Sequence, residues 1–368
     1  MIDEKLLKSE EKAVFALRAL YRQYGYLPYK MSKFEEYELY SRNKDFLVSD
    51  RIITFNDTNG RLMALKPDVT LSIIKNGEDR PGCKQKVCYN ENVYRVSESS
   101  HHFKEIMQAG LECIGDIDLY DIYETVSLAA RSLSLISESF VLEISHLGIA
   151  AAVLDAASGD EDFRRRAMHF IAEKNAHDLH GLCREYAIPP EKEESLAALI
   201  TAYGCRETVL EKLKALDVPG AAEPLAELER LSRMLESLPG QEKIQFDFSV
   251  VNDMNYYNGI VFKGFLNGIC EGVLAGGQYD KLMEKMGRRS RAIGFALYLD
   301  LLEQLPTPAK EYDVEVLLLY DEGEDPEKVA KAVRKITEEG RTVSAQKSLP
   351  AKLRCRQVCR LKEGKIQC

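Results

Sequence analysis

Asp57-Thr58-Asn59-Gly60-Arg61-Leu62-Met63-Ala64-Leu65-Lys66-Pro67-Asp68-Val69-Thr70 is the stretch on which the fold turns. Asn59-Gly60 supplies two residues that tolerate positive φ, as a tight hairpin turn requires. Apolar residues flank it, with Ile52, Ile53 and Phe55 before and Leu62 to Leu65 after. Residues 51–65 are therefore expected to form a β-hairpin. Pro67 then pre-sets φ for a first helical turn, and Asp68 places a carboxylate at the positive end of a short helix running through Ile73 and Ile74.

Upstream, Ala13, Val14, Leu17, Leu20, Tyr21 and Tyr24 recur at helical spacing from about Ser9, with Gly25 in C-cap position. Downstream, residues 86–97 and 103–115 read as strands joined by a polar segment. Residues 259–266 and 269–275 read as a further pair turned by Asn267-Gly268. Neighbouring strands joined by short turns pair antiparallel, and helices before and after them make the class α+β. Residues 151–240 are rich in Ala, Leu, Glu, Lys and Arg with helical periods, and read as a helical insertion. Pro306, Pro308 and Ala309 mark a linker. The expected organisation is a core over 1–305, with 151–240 inserted in it, and a short α/β module over 306–368. That module opens with a strand at 312–319 and a helix from Asp325 to about Gly340, leaving at most two short strands in 341–368.

A chain of 368 residues exceeds the roughly 250–300 at which single cores stop growing, so more than one domain is expected. Fifty Lys plus Arg against 59 Asp plus Glu give a net charge of −9, which argues against bulk nucleic-acid binding. No apolar run reaches the ~18 residues of a membrane span, and Met1-Ile2-Asp3-Glu4-Lys5 lacks a signal-peptide pattern. The expectation is a cytoplasmic protein with no membrane contact. Nine cysteines without a C-x-x-C pair are expected to be reduced thiols, with no metal and no cofactor.

Taken in order across residues 30 to 305, several segments resemble histidyl-tRNA synthetase, a class II aminoacyl-tRNA synthetase. They are residues 34–40, the opening stretch 57–70, Val93-Tyr94-Arg95, and Gln108-Ala109-Gly110-Leu111-Glu112-Cys113-Ile114-Gly115. Further on come Asn255-Tyr256-Tyr257-Asn258-Gly259-Ile260-Val261-Phe262, Gly276-Gly277-Gln278-Tyr279-Asp280 and Ala292-Ile293-Gly294-Phe295-Ala296-Leu297. The resemblance implies an antiparallel sheet of about six strands flanked by helices. It also implies a homodimer built on the first helix and the strand after it.

Adenylating an amino acid requires fixed cations around a phosphate, and the synthetases supply arginines for this. Arg95 matches one of them. Ser97 stands where the family has a glutamate, Asn252 where it has an arginine, and Leu301 where an arginine ends the third motif. Ser32 replaces a proline of the first motif. Losing one preorganised stabiliser typically costs about 10²–10³ in rate, so synthetase activity is expected to be lost. The amino-acid side of the pocket remains. By resemblance, Asp68 (a glutamate in the synthetase) and Thr70 face an α-amino group, Gln108 and Glu112 stand close by with Arg95, and Tyr256 and Tyr257 line the imidazole end. The module from Tyr312 starts like an anticodon-binding domain but is much shorter, so no tRNA recognition is expected.

This combination resembles the regulatory subunits of ATP phosphoribosyltransferase. The resemblance implies a short-form catalytic subunit as partner in a hetero-octamer, and histidine as effector. A free histidine sensor and an active synthetase are the alternatives. Blander roles stay open as well. Asp68 reads equally as a helix cap, Arg95 as a salt-bridge partner, Gly276-Gly277 as a strand-ending turn, and one of Tyr256 and Tyr257 as a core residue. His101, His102, His177 and His180 read as solvated or capping side chains.

Overall fold

The computed structural model describes residues 7–44, 52–77, 82–96, 101–250, 256–305 and 312–368. Its two longest strands, Lys84–Val96 and Phe103–Gly115, pair antiparallel along their whole length, from Lys84↔Gly115 to Val96↔Phe103. Arg291–Tyr298 pairs with the second half of the latter, and Leu274–Gln278, Ile260–Leu266 and Phe140–His146 follow in turn. These six strands are antiparallel throughout; short connections join Lys84–Val96 to Phe103–Gly115 and link the run from Ile260 to Tyr298, whereas Phe103–Gly115 with Arg291–Tyr298 and Phe140–His146 with Ile260–Leu266 are brought together from far apart in the chain.

The sheet continues at both edges, to nine strands among the described residues. Leu27–Pro28 joins Lys84–Val96 parallel, and Ile244–Asp247 joins Phe140–His146 parallel before Tyr203–Gly204 closes the order. The second parallel pair was not expected from local pattern, because the two strands are joined only through the helical insertion. A crossover of that length returns the chain in the same direction.

The opening hairpin forms from Thr54–Asn56 and Leu62–Leu65, with Gly60 at φ +79°. Asp57 Oδ1 closes the turn by accepting from the Asn59 and Arg61 amides, both at 2.8 Å. Phe34–Glu36 adds a third strand on the free edge of Leu62–Leu65. The first helix spans Ser9–Gln23 and ends before Gly25 at φ +81°. It packs with Leu119–Ile136 on one face of the large sheet, where Leu17, Tyr21, Leu128, Leu133, Phe262 and Phe295 belong to one apolar core.

The insertion is a set of helices over Leu147–Ala157, Glu161–Ala172, Ala176–Glu185, Pro190–Ile200, Arg206–Lys214 and Ala222–Leu235. It begins four residues ahead of its expected start, because buried His146 caps the first of these helices through Nδ1, which accepts from the Gly148 amide at 3.0 Å. Phe163, Leu199 and Leu231 lie in the same core as the sheet, so the insertion has no separate apolar centre.

Two expectations about glycines and turns need correction. The strand after Asn267-Gly268 starts at Leu274, not Ile269. The connection folds back onto Ile260–Leu266, with Gly272 against the Lys263 stem, where a Cβ would stand 2.2 Å from Cε. Gly276 and Gly277 are strand-interior residues, not a turn. A Cβ at Gly276 would lie 2.4 Å from the Phe295 Cβ, and one at Gly277 2.7 Å from the Ile260 carbonyl.

Residues 306–368 form a second compact unit. Its sheet order is Val343–Gln346, Val314–Leu319, Cys355–Lys362 and Lys365–Gln367. The helix Pro326–Glu338 lays Ala332 and Ile336 on Val316, Leu318, Cys359 and Leu361. Three strands follow residue 341 rather than two, because Gly364 at φ +76° turns the chain back as a hairpin. That register sets Cys359 opposite Cys368, and the two form a disulfide. The expectation of thiols throughout is corrected there; the other seven cysteines are free. Among the described residues no helix is long and apolar enough to cross a membrane.

Lys66 tests how firmly the hairpin is tied to the large sheet. Its side chain is fully buried, and Nζ donates to Glu91 Oε2 at 2.6 Å. Removing one partner of a buried pair leaves an uncompensated charge, whereas replacing both with apolar groups does not. Glu91→Ala is expected to lower the unfolding free energy by about 3–5 kcal/mol in urea titration. The Lys66→Met/Glu91→Leu double variant is expected to recover most of it.

Candidate functional site

The face of the large sheet opposite the helices is laid out by its register. Val87, Glu112, Gly294, Gly277 and Val261 fall in one row across five strands, and Tyr89, Gly110, Ala296, Ala275 and Lys263 in the next. Gln108 and Tyr298 are paired in a third row. The middle of this face is thus glycine and alanine, with large polar side chains at its margins. The result is a cavity of about 720 Å³, within the range of about 300–1,000 Å³ that ligand pockets occupy.

Asp68, Thr70, Arg95, Gln108, Glu112, Tyr256 and Tyr257 all line this one cavity. Ser97 and Asn252 lie outside the described residues. Leu301 is in the 3-10 helix Leu299–Gln304, packs against the main core and is not among the residues that line the cavity. His177 is exposed on its helix and His180 pairs with Glu193; neither borders the cavity, nor do His101 and His102.

Glu112 is the centre of the polar wall. It is 2% exposed; Thr70 Oγ1 donates to its Oε1 at 2.8 Å and the Tyr279 hydroxyl to its Oε2 at 2.7 Å. Gly294 leaves space for it, since a Cβ there would fall 1.7 Å from Oε2. Burial pushes the Glu112 carboxyl up to about 8, the two hydroxyls oppose the rise, and the Asp68 charge adds to it.

Asp68 does two things at once. Its Oδ1 accepts from the Leu71 amide at 2.9 Å, at the start of Thr70–Asn76, and the same carboxyl borders the cavity. Burial raises its pKa, while the Leu71 N–H and the Arg95 guanidinium hold it back. Arg95 is itself anchored, with Nε donating to the Pro67 carbonyl at 3.0 Å.

Burial keeps Tyr89, Tyr256 and Tyr279 far above the usual phenol range, so they remain neutral hydroxyl-bearing walls. The Tyr256 ring lies 4.5 Å from that of Tyr257 and 5.9 Å from that of Tyr279, centroid to centroid. A buried and a half-buried carboxyl beside neutral rings suit a compact cation with a planar group attached. An ammonium would supply the charge the carboxyls lack.

Tyr89, Lys263, Glu271, Tyr279 and Tyr298 also line the cavity and were not singled out in the sequence. Tyr279 stands in a block read for its glycines. What positions it is Asp280, whose Oδ1 accepts from the Ala292 amide at 2.9 Å, and whose Oδ2 accepts from Asn258 Nδ2 at 3.0 Å and Arg291 Nε at 3.1 Å. The signal for Tyr89 and Tyr298 is register: each shares a row with a residue already chosen or with its glycine neighbour.

The Glu112 carboxyl binds its proton more tightly in the folded chain, at about 8, than at its ordinary value of 4.5. The stability this group contributes is therefore present at low pH and lost as pH rises through that interval. Glu112→Gln removes the dependence. Between pH 5 and pH 8.5 the unfolding free energy of the wild type is expected to fall relative to the variant by about 3–5 kcal/mol. Urea unfolding at the two pH values measures this, and a constant difference would show that Glu112 ionises freely.

The family model of histidyl-tRNA synthetase matches residues 2–302. The ATP phosphoribosyltransferase regulatory subunit of Clostridium kluyveri is 30% identical over 317 residues, covering 83% of this chain and 81% of that one. The structure of an ATP phosphoribosyltransferase regulatory subunit/histidyl-tRNA synthetase from Bacillus halodurans C aligns with a TM-score of 0.75 at 25% identity, over 94% of this chain and 91% of that one. A chain of the ATP phosphoribosyl transferase (HisG:HisZ) complex from Thermotoga maritima shares the fold, with a TM-score of 0.62 at 21% identity over 79% of this chain and 97% of that one. Synthetase-like core, a polar wall of carboxyls and tyrosines and apolar Leu301 thus meet in one molecule, and the chain belongs to the histidyl-tRNA synthetase-like family of ATP phosphoribosyltransferase regulatory subunits.

Proposed function

We propose that this chain is a non-catalytic regulatory subunit of ATP phosphoribosyltransferase in histidine biosynthesis. The short-form catalytic subunit requires it for activity, and it conveys inhibition by histidine. One observation carries the reading: all seven residues expected on the amino-acid side line one cavity, while half-buried Leu301 packs against the apolar core. A site of this kind keeps recognition and lacks one of the cations that phosphate chemistry needs. The ATP phosphoribosyl transferase (HisG:HisZ) complex from Thermotoga maritima, which contains both kinds of subunit, supports the partnership.

In this reading the histidine ammonium is placed against Asp68 and Glu112, its ring between Tyr256 and Tyr257, and its carboxylate toward Arg95. A proton leaves Glu112 as the ammonium arrives, so affinity rises with pH toward about 8. Occupancy biases the arrangement of the catalytic subunits by a coupling of about 1–3 kcal/mol, and substrate occupancy biases histidine binding by the same amount. The assembly is a hetero-octamer of four chains of each kind, built on a dimer of this chain, in the cytoplasm.

The decisive experiment mixes the chain with a short-form catalytic subunit and follows product formation from ATP and phosphoribosyl pyrophosphate. Activity is expected only in the mixture, falling as histidine is added, and the chain alone is expected to show no histidine-dependent pyrophosphate exchange. Absence of stimulation and of co-elution overturns the proposal. By calorimetry, Glu112→Ala is expected to weaken histidine binding by about 10–100-fold, the range for losing one charged hydrogen bond. Unchanged affinity would move the effector site elsewhere.

A further inference from the structure

The charge of this chain is distributed unevenly. Residues 341–368 hold eight Lys or Arg and one acidic residue, Glu363, for a local charge of +7 in a chain whose total is −9. These residues lie beyond the family match at 2–302. The strand Cys355–Lys362 sorts them by side. Cys359 and Leu361 are buried under the helix, so the alternate residues Arg356, Val358, Arg360 and Lys362 take the opposite face, and all four are exposed. Pairing of Lys362 with Lys365 and of Arg360 with Gln367 carries the face onto the next strand.

Four other cations in the described part of the unit are paired, among them Arg354 with Asp313 at 2.9 Å and Arg341 with Glu339. Among the described residues, Arg356, Arg360, Lys362 and Lys365 have no ion-pair partner, and Glu363 sits in the turn beyond them. Four like charges side by side are unfavourable by themselves, and an anion lying across them relieves the repulsion.

The row fits a long anion better than a small one. From Arg356 to Lys362 is about 20 Å at the rise of an extended strand, several times the width of one phosphate or carboxylate. A protein partner suits it poorly. Protein interfaces centre on apolar or aromatic anchors, and the exposed apolar residue on this strand face is Val358 alone. None of the four strands sets an aromatic ring there, so bases have nothing to stack on. What remains is contact with a phosphate chain, which needs only cations at intervals.

We propose that the exposed face of the Cys355–Lys362 and Lys365–Gln367 hairpin is a docking surface for a nucleic-acid backbone, sequence-independent and carried by Arg356, Arg360, Lys362 and Lys365. The negative total charge pointed away from such contacts; the cations are local, and screening over about 8–10 Å lets them act locally. The surface is independent of the histidine-site reading.

Fluorescence anisotropy of the full chain with a labelled 20-nucleotide uridine strand tests it. Four neutralised phosphates give a loss of about 50-fold in affinity between 50 and 200 mM salt. Reversal of all four charges (R356E/R360E/K362E/K365E) is expected to weaken binding by about 30-fold or more at 50 mM salt. The conservative R356K/R360K variant is expected to keep it, which separates charge from loss of folding. No binding by the wild type, or equal binding by the reversed variant with its thermal transition intact, overturns the proposal. Equally tight binding of a labelled 20-residue polyglutamate overturns it too, and would assign the face to an acidic protein.

Discussion

A missing side chain governs this molecule. Gly294 leaves the space that the Glu112 carboxyl fills, and no other residue could stand there without expelling it. Gly110 makes the same allowance for the Tyr89 hydroxyl, to which a Cβ would come within 2.5 Å. The sheet is therefore thin at its centre and thick at its margins, so that a cavity opens on a surface which side chains would otherwise pave. A glycine in a strand interior weakens it by entropy and lost packing. Here the long antiparallel pairs on either side offset that cost.

Polar groups within the cavity hold one another in place. Thr70 comes from a short helix, Glu112 and Gly294 from adjacent strands, and Tyr279 from the end of a third. Asp68 links this constellation to the backbone by capping the helix that carries Thr70. An Asn at position 68 would still cap that helix but would alter the charge of the wall. Capping a helix and lining the cavity therefore make separate demands on one residue, and Asp68 does both.

Much of this was legible in the sequence, for physical reasons that can be named. Asn59-Gly60 specifies its turn locally, and so does the period of the first helix, so both were placed within a few residues. The seven candidate residues came from ordered motifs, and all of them border one space. What escaped was nonlocal. Nothing near Leu142 announces that Ile244 will lie beside it, because the pairing is decided by how six helices fold between them. Tyr89 and Tyr298 gain their places from register across strands. The hairpin at Gly364 was missed because its last strand is three residues long, and the disulfide follows from that hairpin. Nor did net charge disclose that the cations of residues 341–368 gather on one face, which only alternation along a strand reveals.

The bond between Glu112 and Tyr279 joins residues 167 apart in the chain. Contacts of such separation are slow to find, because the entropy of closing the intervening loop precedes any reward. The insertion shortens that search, since its entry and exit strands end side by side and return the chain to the sheet near where it left. The cavity is nonetheless among the last features that folding can complete. Until the strands that carry Gly294 and Tyr279 have paired, the cavity lacks one side, so a molecule held there would bind only the finished fold and slow its opening.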